Sequence, residues 1–175
     1  KMEKEQIKKL GEKAYQLGYQ YEQKYRGCAQ CTIAAVLEVL NIDAPDLFKS
    51  GSALASGGGL TCKGSCGGFS GGSLVIGKLI GRRLEYFDDD NENKMRAFRM
   101  VKSLAEKFDE TYGSVICQGI HEKLFGRHYD LWDDRQKIQF DKDGAHDDKC
   151  TSVVGNSARW TVEIILSELE EGLIV

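Results

Sequence analysis

The chain has 175 residues, 41% hydrophobic and 29% charged, with a formal net charge of −3; it is long enough for one well-buried core of an ordinary globular kind. A slightly acidic balance gives no electrostatic reason to expect nucleic acid or an anionic membrane surface as partner. No apolar run reaches the roughly 18–20 residues of a spanning helix, and the N-terminal Lys-Met-Glu-Lys-Glu-Gln lacks the apolar stretch of a signal peptide, so a cytoplasmic protein is expected. In that compartment six cysteines point to metal or redox use more than to structural disulfides.

A single proline interrupts the chain, and the apolar spacing is mostly helical. Ile7, Leu10, Ala14, Leu17 and Tyr21 share one face of a helix over 3–25, widened by Tyr15, Tyr19 and Tyr25; this tyrosine-rich surface would suit a partner, a second copy of the chain included. Gly27 ends the helix, and a second, apolar on most sides, runs from Cys28 to Leu40. Asp43 reads as an N-cap with Pro45 in the first turn of a short helix through Phe48. Residues 51–65 are loop by glycine content.

A further helix is predicted from Cys66 to Ile80, with Gly68, Gly71, Gly72 and Val75 as a small-residue stripe. Each interior glycine costs a helix about 1 kcal/mol against alanine, so the stripe asks for the close approach of a backbone or a bulky cofactor. The charged Asp88-Asp89-Asp90 leads into a helix from about Asn93 to Tyr112, with Met95, Phe98, Val101, Ala105 and Phe108 as its buried face. Cys117 to Phe125 is a short helix. Residues 126–148 are mostly charged, anchored by Trp132, Ile138 and Phe140, with 138–140 as a short strand. The last helix runs from about Asp148 to Glu171 with Val154, Ala158, Thr161, Ile165 and Leu169 inward. No internal repeat or linker divides the chain, and the fold class is all-α: one bundle of six or seven helices over 1–175.

Four of the cysteines, Cys28, Cys66, Cys117 and Cys150, open helices. A helix N-terminus presents free N–H groups and a partial positive charge, a setting that favours thiolate, the form that is both nucleophile and metal ligand. Cys31 makes C-x-x-C with Cys28, and Cys62 makes C-x-x-x-C with Cys66. Read as two tight pairs, these four would suit tetrahedral zinc; Cys31, inside an apolar helix, reads equally as a small buried hydrophobe. His121 lies four residues after Cys117 and His146 four before Cys150, each a candidate ligand or outer partner, with a surface position the stronger expectation for both. The glycine run contains neither G-x-x-x-x-G-K-[ST] nor G-x-G-x-x-G and is no phosphate loop.

The stretch Cys66-Gly67-Gly68-Phe69-Ser70-Gly71 resembles the C-G-A-x-x-G motif of the redox-active family named C_GCAxxG_C_C, with Gly68 in place of the usual alanine. The resemblance runs along most of the chain. Gly27-Cys28-Ala29-Gln30 is similar to the first cysteine segment, Gly113-Ser114-Val115-Ile116-Cys117 to the third, and Lys149-Cys150 to the fourth. The family's four cysteines therefore fall on Cys28, Cys66, Cys117 and Cys150, with Cys31 and Cys62 as additions and 126–148 as a longer insert. Related modules accompany split-Soret cytochromes, which implies an iron–sulfur centre.

The expectation is thus an electron-transfer protein holding a [2Fe–2S] cluster on those four thiolates. Cys62 and Cys31 would be alternative or outer ligands, and Gly67, Gly68 and Gly71 would admit the cluster and direct N–H groups at its sulfurs. Metal-free thiol–disulfide chemistry, with Cys28 or Cys66 as the low-pKa attacking thiolate, and a structural zinc scaffold are the other readings. The redox partner is a protein the sequence does not name.

Overall fold

The computed structural model describes residues 2–88 and 91–170, without the side chains of 169 and 170; the expected inward side chain of Leu169 is thus not described, and the Asp89-Asp90 pair and the expected helix end at Glu171 lie outside the described residues. Eight α-helices and no strand form among them: α1 Lys4–Tyr25, α2 Cys28–Leu40, α3 Pro45–Ser50, α4 Gly67–Ile80, α5 Asn91–Tyr112, α6 Cys117–Phe125, α7 Asp134–Lys142 and α8 Cys150–Glu170. The fold is all-α. No described helix is long and apolar enough to cross a membrane.

The bundle is built around α8. Helix α1 lies along it, α2 and α4 pack on each other and on α8, and α5 closes the far side. Small residues let the α1 and α8 backbones approach: a Cβ on Gly18 would stand 3.1 Å from the Val154 carbonyl oxygen and 3.2 Å from Ala158 Cβ. The residues expected inward on α8, Val154, Ala158, Thr161 and Ile165, are buried. Three of the α1 tyrosines serve the fold. Tyr15 stacks near the Arg159 guanidinium, Tyr19 donates to the Asp147 carbonyl and Tyr21 to the Glu38 carboxylate. Tyr25 stays exposed.

At the other end of the core Phe108 is fully buried, edge-on to Phe69 at 5.7 Å and to Trp160 at 5.5 Å. It joins α4, α5 and α8 in one aromatic contact. Phe108→Ala is expected to lower the unfolding free energy by about 3–5 kcal/mol, measured as a shift in the urea midpoint at unchanged m-value; a shift under a third of that would mean the ring is not a keystone of the core.

Three local expectations are corrected. Residues 138–140 are helical, not a strand. Asp133 caps α7, its carboxylate accepting from the N–H groups of Arg135 and Gln136, which starts a helix through the region. Only Phe140 of its expected anchors is buried; Ile138 and Trp132 are exposed, and the true anchors beside Phe140 are Tyr129 and Leu131. On α5 the buried face is Arg96, Ala97, Met100, Leu104, Phe108 and Tyr112, and Met95 and Phe98 point to solvent. Arg96 takes an inward position because Glu168 of α8 meets its Nε at 2.6 Å. Finally, α3 is capped at Ala44 with no side-chain bond, so Asp43 does not cap it.

Candidate metal centre

Four separate pieces of chain bring a cysteine to one place. Cys28 is the first residue of α2, reached by a sharp break after α1 in which Arg26 and Gly27 both take positive φ, 61° and 90°; Gly27 makes that turn at no steric cost. Cys66 is the N-cap of α4. Cys117 opens α6. Cys150 opens α8, after a π-helical turn over Ala145–Lys149. All four line one small cavity of about 30 Å³, together with Glu22, His121 and His146, and none of the six cysteines is in a disulfide.

Backbone donors converge on two of the sulfurs. The Ser56 N–H lies 3.3 Å from Cys28 Sγ, and the Gly67 N–H adds a second donor. Cys66 Sγ receives the N–H groups of Gly68 and Phe69 in the first turn of its own helix. The glycines of this helix act mainly as contact surfaces between elements. A Cβ on Gly67 would fall 2.3 Å from Cys28 Sγ, on Gly71 2.6 Å from the Ala29 carbonyl oxygen, and on Gly68 3.3 Å from Ser157 Cβ. So α4 can settle on α2 with the two sulfurs beside each other.

Helix-start placement does not by itself make these thiols acidic. Burial pushes the Cys28 and Cys150 thiols well up, with Glu22 the next cause in each case, and Cys66 up to about 11 despite its two N–H donors. Desolvation disfavours the charged form more than the helix ends favour it. As free thiols they are therefore protonated at neutral pH, and a bound cation is what would make them thiolates. The low-pKa attack expected of Cys28 or Cys66 in a metal-free scheme runs against this environment.

The two additional cysteines part company. Cys31 lies one turn beyond Cys28 but does not line the cavity; its sulfur sits 3.2 Å from the Arg26 carbonyl and beside the Glu22 carboxyl, and burial raises its thiol. Cys62 is fully buried against α6. Its thiol is lowered, the first cause being a hydrogen bond from Cys117, which is raised in turn, and the next favourable one His121. Both histidines leave the expected surface. His121 is 2% exposed with Nε2 3.5 Å from Cys117 Sγ. His146 is half-buried, its Nδ1 2.7 Å from Asp141 and its Nε2 3.7 Å from Glu22.

Glu22 is the residue that sequence pattern misses. It faces the cavity from α1 at 3% exposure, one carboxyl oxygen has no partner, and burial raises it to about 7. A glutamate in an amphipathic helix carries no sign of that position; the only hint is its spacing after Gly18, on the buried face.

Residues 26–164 match the family described as "Putative redox-active protein (C_GCAxxG_C_C)". Neither a curated protein nor a solved structure matches the chain. The family match spans most of the sequence and encloses every cysteine of the cavity, and the protein belongs to the C_GCAxxG_C_C family.

Proposed function

We propose that the protein is a one-electron carrier whose centre is an iron–sulfur cluster of the [2Fe–2S] type, ligated by Cys28, Cys66, Cys117 and Cys150. The observation that carries the reading is that four cysteines, each at the start of a different helix, line one buried cavity. Soft thiolates select iron–sulfur clusters and zinc over harder ions, and a cluster supplies reversible electron storage when bound.

The protein's own part is threefold. It brings the ligands in on rigid elements, it surrounds them with Phe140, Ile120, Val153 and Val154 to limit water, and it aims backbone N–H groups of Ser56, Gly67, Gly68 and Phe69 at the sulfurs of Cys28 and Cys66. N–H donation to ligand sulfur stabilises the more electron-rich state and so raises the potential. Cys31, outside the cavity, is not in this ligand set; as an outer group it sits beside Glu22 and one helical turn from Cys28.

Anaerobic purification with iron and acid-labile sulfide analysis and a visible spectrum tests the reading. A coloured protein with equal iron and sulfide, bleached by dithionite, is expected, and Cys66→Ser should remove most of both. Colourless protein that takes up no iron on anaerobic reconstitution would sink it. Zinc without colour would then point to a scaffold, and a reversible two-hydrogen mass change to thiol–disulfide chemistry.

A further inference from the structure

We infer that Cys62, Cys117 and His121 form a mononuclear subsite for a borderline divalent cation such as zinc, beside the four-cysteine cavity and sharing Cys117 with it. One ligand atom from each of the three lies within 4.8 Å of the other two, and this is the group of three such donors found among the described residues. All three are sealed from solvent, at 0%, 4% and 2% exposure. The 3.5 Å between His121 Nε2 and Cys117 Sγ bears on this directly. Two ligands of one tetrahedral zinc, at about 2.3 Å for sulfur and about 2.0 Å for nitrogen, stand roughly 3.5 Å apart. The nitrogen and sulfur already hold coordination spacing.

The chain spends several backbone bonds on this arrangement. Cys62 takes a left-handed conformation, φ 58°, which a non-glycine residue adopts only when its surroundings impose it. Its N–H donates to the Ser56 carbonyl at 2.8 Å, and its own carbonyl accepts from the Gln118 N–H at 3.0 Å. Next to it the Gly64 carbonyl accepts from the Cys117 N–H at 3.0 Å, and the Cys66 N–H donates to the Val115 carbonyl at 2.8 Å. The otherwise unpaired N–H groups at the start of α6 thus fasten the Cys62 loop to the helix that carries the other two donors. His121 follows Cys117 by four residues, so both project from one face of α6.

The ligand nitrogen of His121 is Nε2, the one that faces Cys117; Nδ1, across the ring, is buried without a hydrogen-bond partner and is no sign of the cation. The ring is enclosed by Phe125, Tyr129 and Phe140 at centroid distances of 5.5, 5.9 and 5.0 Å. An apolar shell of that kind makes two bare thiolates costly and a thiolate-bound cation much less so. The fourth coordination position is left to water or to a group of the adjoining cavity. The inference takes from the preceding reading only the use of Cys117 by the neighbouring centre.

The test uses cobalt(II), whose thiolate charge-transfer and d–d bands report tetrahedral ligation, added anaerobically to reduced, metal-free full-length protein. In a Cys28→Ser/Cys150→Ser background, where the larger cavity keeps two thiols, one cobalt should bind with tetrahedral bands. Adding Cys62→Ser or His121→Gln should weaken it at least tenfold. Absence of binding in the background, or affinity unchanged by both additions, overturns the inference. Should the background not fold by far-UV circular dichroism, X-ray absorption of zinc-loaded wild-type protein decides instead. A mixed sulfur–nitrogen shell whose nitrogen component Cys62→Ser weakens supports the subsite, and a shell of sulfur alone overturns it. Iron and sulfide content of Cys62→Ser, prepared without air, reads the four-cysteine centre separately: the cluster reading can fail while cobalt still binds at the trio, and the reverse.

Discussion

Gly67→Ala is expected to damage fold and centre together. The new Cβ would stand 2.3 Å from Cys28 Sγ and 2.8 Å from the Ala29 backbone nitrogen. The sulfur can rotate away; the backbone can retreat only by parting α4 from α2. Overpacking of this kind costs about 1–3 kcal/mol, against at most about 1 kcal/mol returned by alanine's helix propensity. Gly71→Ala makes the necessary comparison. Its Cβ meets the Ala29 carbonyl oxygen at 2.6 Å, and its three nearest neighbours include no sulfur. Both variants should melt several degrees below wild type, but only Gly67→Ala should expose Cys28 to alkylating reagent in the folded protein, read by mass spectrometry of the peptide. Equal alkylation of Cys28 in the two variants would show that Gly67 serves helix contact alone.

Glu22→Gln is expected to stabilise the metal-free protein at alkaline pH and do little at acid pH. The Glu22 carboxyl has an ordinary value of 4.5 and is raised to about 7 by burial, against a smaller lowering by a hydrogen bond from Cys31. Below pH 4.5 it is protonated folded or unfolded and carries no penalty. Between 4.5 and 7 the unfolded chain releases the proton and the folded one retains it, so stability falls as pH rises, and it levels off above 7. The rise from 4.5 to about 7 amounts to roughly 3 kcal/mol. His146, held below its usual value by burial, offers no full compensating charge at pH 7. Urea unfolding of both proteins under reducing, chelated conditions at pH 4.5 and pH 8 measures the difference. A wild-type minus variant gap that does not widen toward pH 8 would rule the buried carboxyl out as its source.

The helix starts were readable because they depend on local chemistry. Gly27, the apolar run after Cys28 and the break at Gly113 mark boundaries that tertiary contacts then leave in place. The placement of α5 on the core was not readable. Arg96 looks like a surface residue until Glu168, far along the chain, is known to face it, and without that ion pair Met95 and Phe98 are the better guesses for the buried side. Residues 138–140 misled in a different way: three residues of alternation suggested a strand, while Asp133 and Asp134, five and four residues earlier, already carried the acid-rich start of a helix. For the centre, spacing within one helix revealed His121 beside Cys117. Nothing local places Cys62 opposite them, because that contact is made by backbone bonds between a loop and the start of α6.

The pairing of α1 with α8 sets the order in which this chain can organise itself. These helices lie at opposite ends of the described sequence and make the most extensive helix–helix packing in the bundle, and the closing turn into α8 carries Cys150. Contacts so distant in sequence slow folding, since the intervening chain must surrender its freedom to make them. Helices α2 and α4 can meet beforehand, bringing Cys28 to Cys66, but the cavity lacks its last wall until the ends meet. Because the cavity is complete only when the two ends of the described sequence meet, a cation held by all four sulfurs would tie its own binding to the docking of the final helix.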